Sequence, residues 1–157
     1  MSHSDVVVLS VGGGRLLKGV AEGLHRNGWI DVPVIAVETE GADSLAQSVR
    51  ECYRVELPAI TCIATSVGAT QICEQAFRWL SKHPIRSIVA SDRAAVFAYQ
   101  RFIAIQRVVV EPAGGASLAV VYDIAPELEQ FKSVLVVVCG GVTTSVEKLG
   151  EWSNEFA

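Results

Sequence analysis

The sequence has few cysteines and histidines and no cluster of basic residues. Its four cysteines form no Cys-x-x-Cys pair and its three histidines are scattered, so the patterns typical of a zinc site, a disulfide framework or a catalytic triad are missing. The net charge is −4 and the isoelectric point is near 5.4, which argues against nucleic-acid binding. We therefore expect free, reduced thiols and no nucleic-acid partner.

A long hydrophobic run is also missing. No apolar stretch approaches the roughly 18 residues of a membrane-spanning helix, and residues 1–5 carry no basic segment ahead of the first apolar run, as a secretion signal would. The sequence therefore predicts a cytosolic protein with no membrane partner. Its 157 residues are the usual size of one domain, so residues 1–157 are predicted to form a single domain. Half of the residues are hydrophobic, and part of that apolar surface is expected to face a partner.

Apolar runs alternate with helical patterns along the chain. The runs predict strands at residues 6–11, 32–37, 85–90 and 134–138. The helical patterns predict one helix from residue 16 to the Asn27-Gly28 pair and others at residues 42–52, 69–80, 92–105, 116–128 and 142–152, with Asp92 as an N-cap. Strands that are apolar on both faces indicate a parallel sheet covered on both sides. The predicted fold is a three-layer, doubly wound α/β domain with a mostly parallel sheet.

Ligands of such sheets bind where the strands end, and a glycine run follows the first strand. Gly12, Gly13 and Gly14 leave backbone N–H groups bare at the start of a helix, an arrangement typical of phosphate binding. A tight turn without a ligand is the alternative. A dinucleotide fingerprint would need a third glycine where Leu17 stands. Because Glu38 could contact a ribose, a nucleotide-binding Rossmann-like domain stays open as a lesser alternative.

Four motifs stand in an order that is more specific than one glycine loop. They are Leu9-Ser10-Val11-Gly12-Gly13-Gly14, Val34-Ile35-Ala36-Val37-Glu38-Thr39, Val110-Glu111-Pro112-Ala113 and Val138-Cys139-Gly140-Gly141. Over residues 6–148 the chain resembles the fold-type-II pyridoxal-phosphate enzymes, in particular their serine and threonine dehydratases. The resemblance implies a partial large domain of that fold.

The resemblance also implies which residues bind the cofactor, pyridoxal 5′-phosphate. In that family the loop at Gly12, Gly13 and Gly14 holds the phosphate, with Arg15 and Leu16 next to it. Cys139, followed by Gly140, matches the position that faces the pyridine nitrogen, where a neutral thiol avoids a full pyridinium charge. A buried, inert cysteine is the alternative.

A monovalent cation such as K⁺ is a further implication of the resemblance. The side chains or positions that match the family's cation site are Glu38, Ala42 and Ser44, with the backbone carbonyls of Gly12, Val67 and Ala69 as further ligands. A hard cation needs several oxygens placed together. The alternative is that Glu38 is a solvated carboxylate at the end of a strand.

The chain departs from the family pattern in its phosphate loop. Arg15 stands where the family has a fourth glycine, and its guanidinium could either clamp a phosphate or fill the cofactor pocket. Thr143, where relatives often carry asparagine, is a milder change.

The second departure concerns the family's cofactor-binding lysine, which lies in a Ser-x-Lys motif upstream of everything present here. The four lysines of this sequence stand in or beside helical patterns and suit solvent better than an activated amine. They are Lys18, Lys82, Lys132 and Lys148. We therefore expect no catalysis by this chain alone, and expect a homo-oligomer or a complementing amino-terminal chain to cover its open sheet edge. The alternative function is a non-catalytic oligomeric interaction module derived from the same fold.

Overall fold

A parallel four-stranded sheet forms the centre of the computed structural model, which describes residues 4–123, 125–141 and 144–156. All of its strand pairs are parallel and the spatial order is β3-β2-β1-β4. Val8 lies opposite Ile35 of β2 and Val136 of β4. The strands are β1 Val6–Ser10, β2 Val34–Thr39, β3 Ile85–Ala90 and β4 Val134–Val136. The α-helices are α1 Arg15–Arg26, α2 Ser44–Glu51, α3 Glu74–Trp79, α4 Asp92–Gln106, α5 Pro112–Tyr122 and α6 Val146–Glu155.

Helices cover both faces of the sheet, because successive side chains of the central strands point to opposite sides. Val7 and Leu9 pack in a core with residues of α1, α2 and α3. Val6 and Val8 pack in a second core with residues of α4 and α5. All residues of β1 and β2 are buried. The three-layer, doubly wound architecture predicted from the apolar runs is thus confirmed.

Helix α5 begins earlier than the sequence predicted. The sequence predicted this helix over residues 116–128, and both of those boundaries were wrong. Glu111 is the N-cap, Pro112 occupies the first helical turn and the helix ends at Tyr122, in line with the preference of proline for helix starts. Gly115 is a helical residue that lies against α4, and a short 3₁₀ turn over Pro126–Leu128 replaces the predicted end of the helix.

The N-cap of α4 was also assigned to the wrong residue. The Ser91 hydroxyl accepts a hydrogen bond from the Ala94 N–H at 3.1 Å. The Asp92 carboxylate instead accepts from the Ile63 N–H at 3.1 Å, which ties α4 to the segment between α2 and α3. Helix α3 is shorter than predicted, and most other boundaries agree within two residues. Residues 142 and 143, the predicted start of the last helix, lie outside the described residues.

Both outer strands expose hydrophobic side chains. Leu135 of β4 is 49% exposed and Val89 of β3 is 37% exposed. Such edges are places where a further strand or another chain can pack. In the part of the chain that the structure describes, no helix is long and apolar enough to cross a membrane.

Candidate functional site

A cleft of about 580 Å³ opens at the carboxyl end of β1. Its walls are the β1–α1 loop, part of the segment between α2 and α3, and Cys139, which lies shortly after β4. The structure brings together in this cleft six of the residues that the sequence suggested for cofactor binding: Gly12, Gly13, Gly14, Arg15, Leu16 and Cys139. Gly140 is not among the lining residues. It has φ +87° and lies against the Glu111 carboxylate, which a Cβ at this position would overlap.

The glycine loop is held against the start of α3. Gly14 has φ +81°, and a Cβ there would also come within 2.5 Å of the Ala76 Cβ, so a larger residue would meet both strain and a clash. The Gly13 carbonyl accepts a hydrogen bond from the Cys73 N–H at 3.0 Å, and the Gly14 carbonyl accepts from the Lys18 N–H at 2.9 Å. The amides that precede Lys18 in this turn therefore lie at the positive end of α1, where anions are stabilised.

The open side of the loop is at Gly13. A Cβ at this position would lie 3.8 Å from the Ala69 Cβ. Apart from the glycine's own chain neighbours, no other atom of the described residues would come within 4 Å of it. Gly13 therefore borders free space in the cleft. A phosphate group fits there, next to bare backbone amides, and the loop thus suits the phosphate of pyridoxal phosphate.

A neutral pair of side chains lies at the other wall of the cleft. The Ser10 hydroxyl oxygen and the Cys139 sulfur are 3.7 Å apart, and Cys139 is half-buried. No carboxylate is among the described residues that line the cleft. A hydroxyl or thiol next to a pyridine nitrogen offers a hydrogen bond without a counter-charge, so this wall also fits the ring of the cofactor.

Glu38 is a buried helix cap. Its two carboxylate oxygens accept hydrogen bonds from the N–H groups of Leu45, at 2.7 Å, and Ala46, at 2.8 Å, in the first turn of α2. The side chain is fully buried, and burial raises the pKa of Glu38 from 4.5 to about 7 against the lowering effect of the two amides. The alternative of a solvated carboxylate at this position was wrong.

The residues suggested for a cation in this part of the chain, Glu38, Ala42 and Ser44, lie between the end of β2 and the first residue of α2. The Ser44 hydroxyl is buried and has no hydrogen-bond partner among the residues described. Ala42 and Val67 pack in one small apolar cluster, and the Val67 carbonyl lies next to Gly12. No group of three histidines, cysteines or carboxylates that could hold a metal is found in the described ranges. A cation here would depend on carbonyl and hydroxyl oxygens, as monovalent and other hard cations can.

Sequence reasoning missed Arg54, which lines the cleft. Its guanidinium donates to the Ile72 carbonyl through Nε at 3.1 Å and Nη2 at 2.9 Å, and to the Gln71 amide oxygen through Nη2 at 2.6 Å. Arg54 belongs to no motif, and its partners are 17 and 18 positions away along the chain. By contrast, none of the four lysines is a lining residue of the cleft.

Comparison with known proteins gives the relatives of this chain. Residues 2–140 match the family model described as pyridoxal-phosphate dependent enzyme. The L-serine dehydratase/L-threonine deaminase of Bos taurus is 43% identical over 151 residues, a match that covers 91% of this chain and 46% of the relative. A fungal L-serine ammonia-lyase from Rhizomucor miehei has a crystal structure with a TM-score of 0.93 and 34% identity, covering 99% of this chain and 51% of that one. The chain spans about half the length of these relatives.

Proposed function

This chain belongs to the pyridoxal-phosphate-dependent enzyme family, and we propose from that premise that it forms one half of a serine/threonine dehydratase-like site. In this proposal residues 1–157 make one α/β domain that binds the phosphate and ring of pyridoxal phosphate. The observation that carries it is the shared cleft of the glycine loop and Cys139. The nucleotide-binding alternative is not retained, because the matched family uses a different cofactor.

Each part of the cleft has a separate task in this proposal. The amides at Gly13 and Gly14 and the Arg15 guanidinium hold the phosphate. Ser10 and Cys139 supply a neutral hydrogen bond at the ring nitrogen. When bound, pyridoxal phosphate withdraws electrons from the α-carbon of an amino acid, which is the chemistry that dehydration of serine or threonine requires.

The proposal assigns the lysine and the substrate pocket to polypeptide outside these 157 residues. The four lysines present do not line the cleft, so we expect no deamination by this chain alone. The missing groups would come from an amino-terminal portion or from another chain, which would also cover the exposed edge at Leu135. A cytosolic location is part of the same proposal. The second candidate is a non-catalytic oligomeric module, favoured by Arg15 at the mouth of the loop.

We expect the purified chain to bind pyridoxine 5′-phosphate, which lacks the aldehyde and so does not react with surface lysines. Isothermal titration calorimetry measures the affinity, with inorganic phosphate as competitor. Gly13→Val fills the open side of the loop and should abolish binding, because its side chain would occupy the space next to the amides. Arg15→Gly should weaken binding about tenfold through loss of a charge-assisted contact.

Three results would contradict this prediction. Equal binding by the parent chain and Gly13→Val would place the ligand elsewhere. Binding that appears after Arg15→Gly and is absent before it would mean that Arg15 closes the cleft. No binding by either protein would favour the interaction module, which a stable oligomer in analytical ultracentrifugation would support.

K⁺ should stabilise the fold through the site at Ser44. A cation at a hundredfold excess over its dissociation constant adds about 2.7 kcal/mol to the free energy of unfolding. Ser44→Ala should remove most of this response, yet leave stability in tetramethylammonium unchanged, since the lost hydroxyl has no hydrogen-bond partner among the described residues. Urea unfolding in the two chloride salts measures both effects. An equal response of Ser44→Ala and the parent chain to K⁺ would exclude Ser44 as a ligand.

A further inference from the structure

The cleft is electropositive although the protein as a whole is acidic. Its charged lining side chains, within the described residues, are Arg15 and Arg54, whereas the net charge of the chain is −4. Two like charges at the walls of one cleft concentrate the field there and attract anions. The second of these arginines has no part in the function proposed above.

Arg54 is held in a fixed orientation with donors left over. Its Nε and Nη2 atoms are engaged by Ile72 and Gln71. The Gln71 amide nitrogen in turn donates to the Arg54 carbonyl at 3.4 Å. Among the described residues, none accepts a hydrogen bond from the remaining nitrogen, Nη1. A planar guanidinium that is bound along one edge presents its other donors in a fixed direction.

The chain segment that binds the Arg54 guanidinium also binds the glycine loop. Ile72, which accepts from the guanidinium, is followed by Cys73, whose N–H donates to the Gly13 carbonyl. A Cβ at Gly14 would lie 3.8 Å from the Ile72 Cβ. One short stretch of chain therefore fixes both the phosphate loop and the arginine, so their relative positions are set by direct contacts.

We propose that Arg54 is a second guanidinium for the ligand phosphate, and that with Arg15 it makes the cleft selective for dianionic phosphate monoesters whatever group they carry. The proposal rests on the function proposed above, because it takes the glycine loop as the phosphate site. Arginine pairs strongly with phosphate oxygens, and more strongly with two negative charges than with one. Inorganic phosphate and simple phosphate esters are then ligands of this chain without any covalent link.

Calorimetric titration with inorganic phosphate and with pyridoxine 5′-phosphate tests the role of Arg54. We expect Arg54→Gln to weaken both ligands about tenfold, as for loss of one charge-assisted contact. Arg54→Lys keeps the positive charge but loses the two-pronged guanidinium geometry, so we expect an affinity between those of the parent chain and Arg54→Gln. Arg50→Gln is the matched control, because Arg50 is exposed on α2 and is not a lining residue of the cleft. Its affinity should equal that of the parent chain.

The pH dependence separates a direct contact from a structural one. A phosphate monoester loses its second proton near pH 6, so affinity in the parent chain should rise from pH 5 to pH 7.5. The rise should be smaller in Arg54→Gln, since one of the cations that favours the dianion is gone. A loss of affinity that is the same at every pH, and the same for Arg54→Lys and Arg54→Gln, would mean that Arg54 merely shapes the loop and would overturn the inference.

The inference and the proposed function can fail separately. If Gly13→Val abolishes binding while Arg54→Gln binds like the parent chain, the loop is the phosphate site and the inference about Arg54 is wrong. If inorganic phosphate binds in an Arg54-dependent manner and pyridoxine 5′-phosphate does not bind, the inference that Arg54 contacts phosphate is supported and the proposed cofactor is wrong.

Discussion

Replacement of Gly115 by alanine should destabilise the fold by about 2 kcal/mol, the size of effect that overpacking of a core typically has. A Cβ at Gly115 would overlap the Ala95 carbonyl oxygen of α4 and lie 3.3 Å from the Tyr99 Cβ. The obstacle is backbone, so no side chain can rotate out of the way. Helices α4 and α5 would have to move apart, which would open the core that α5 forms with β1 and β2.

Gly19→Ala is the matched control for Gly115→Ala. Gly19 is the fifth residue of α1 and Gly115 the fourth residue of α5, but a Cβ at Gly19 would meet no atom within 4 Å among the residues described, apart from its own helix backbone and chain neighbours. Alanine should therefore stabilise α1 by about 1 kcal/mol through its higher helix propensity. Urea unfolding monitored by circular dichroism gives both values. Stabilisation by both substitutions would show that α4 and α5 are packed less closely than described.

The strands and the layers could be predicted because their signals are local. β1 and β2 are buried on both faces and read as unbroken apolar runs, and the glycines after residue 11 end the first run. The start of α1 follows from the same glycines, and β3 begins and ends at the residues that its apolar run predicted. Helix boundaries that depend on contacts with other elements of the same chain were missed, since the sequence does not say where two elements approach each other.

Helix α5 is the main example of such a missed boundary. Gly114 and Gly115 are by propensity turn residues, and the helix was predicted to begin only after them. In the fold, Gly115 is required where α5 crosses the Ala95 carbonyl, and Gly114 faces the Cys139 carbonyl. Close packing between elements far apart in sequence thus outweighs the local preference, and no local pattern reports it.

The candidate site shows the same division between local and long-range information. The glycine loop and Cys139 come from motifs at the ends of predicted strands. Arg54 lies in an irregular segment and gains its place in the cleft from Ile72 and Gln71. Glu38 was recognised as a strand-end carboxylate, but its burial depends on α2 folding back over it.

The stability of this protein should carry a pH dependence that originates at Glu38. The pKa of Glu38 is 4.5 in an unfolded chain and about 7 in the fold. A group whose pKa is raised by folding contributes stability that is fully present below pH 4.5 and is lost as the pH rises through 7. A shift of this size corresponds to about 3 kcal/mol. The physical reason is that burial disfavours the charged form, and the hydrogen bonds from two amides offset this cost only in part.

Glu38→Gln isolates this effect, because glutamine has a similar shape and does not titrate. The variant loses one of the two amide bonds, since its NH₂ group cannot accept, and this loss is the same at every pH. His83, whose pKa burial lowers, and Asp92, whose pKa burial raises, are present in both proteins and cancel in the comparison. Urea unfolding from pH 4.5 to 8, with tetramethylammonium as the added cation, should therefore show the parent chain losing about 3 kcal/mol relative to Glu38→Gln. Parallel curves would mean that Glu38 titrates alike in both states and that its burial has no energetic consequence in this range.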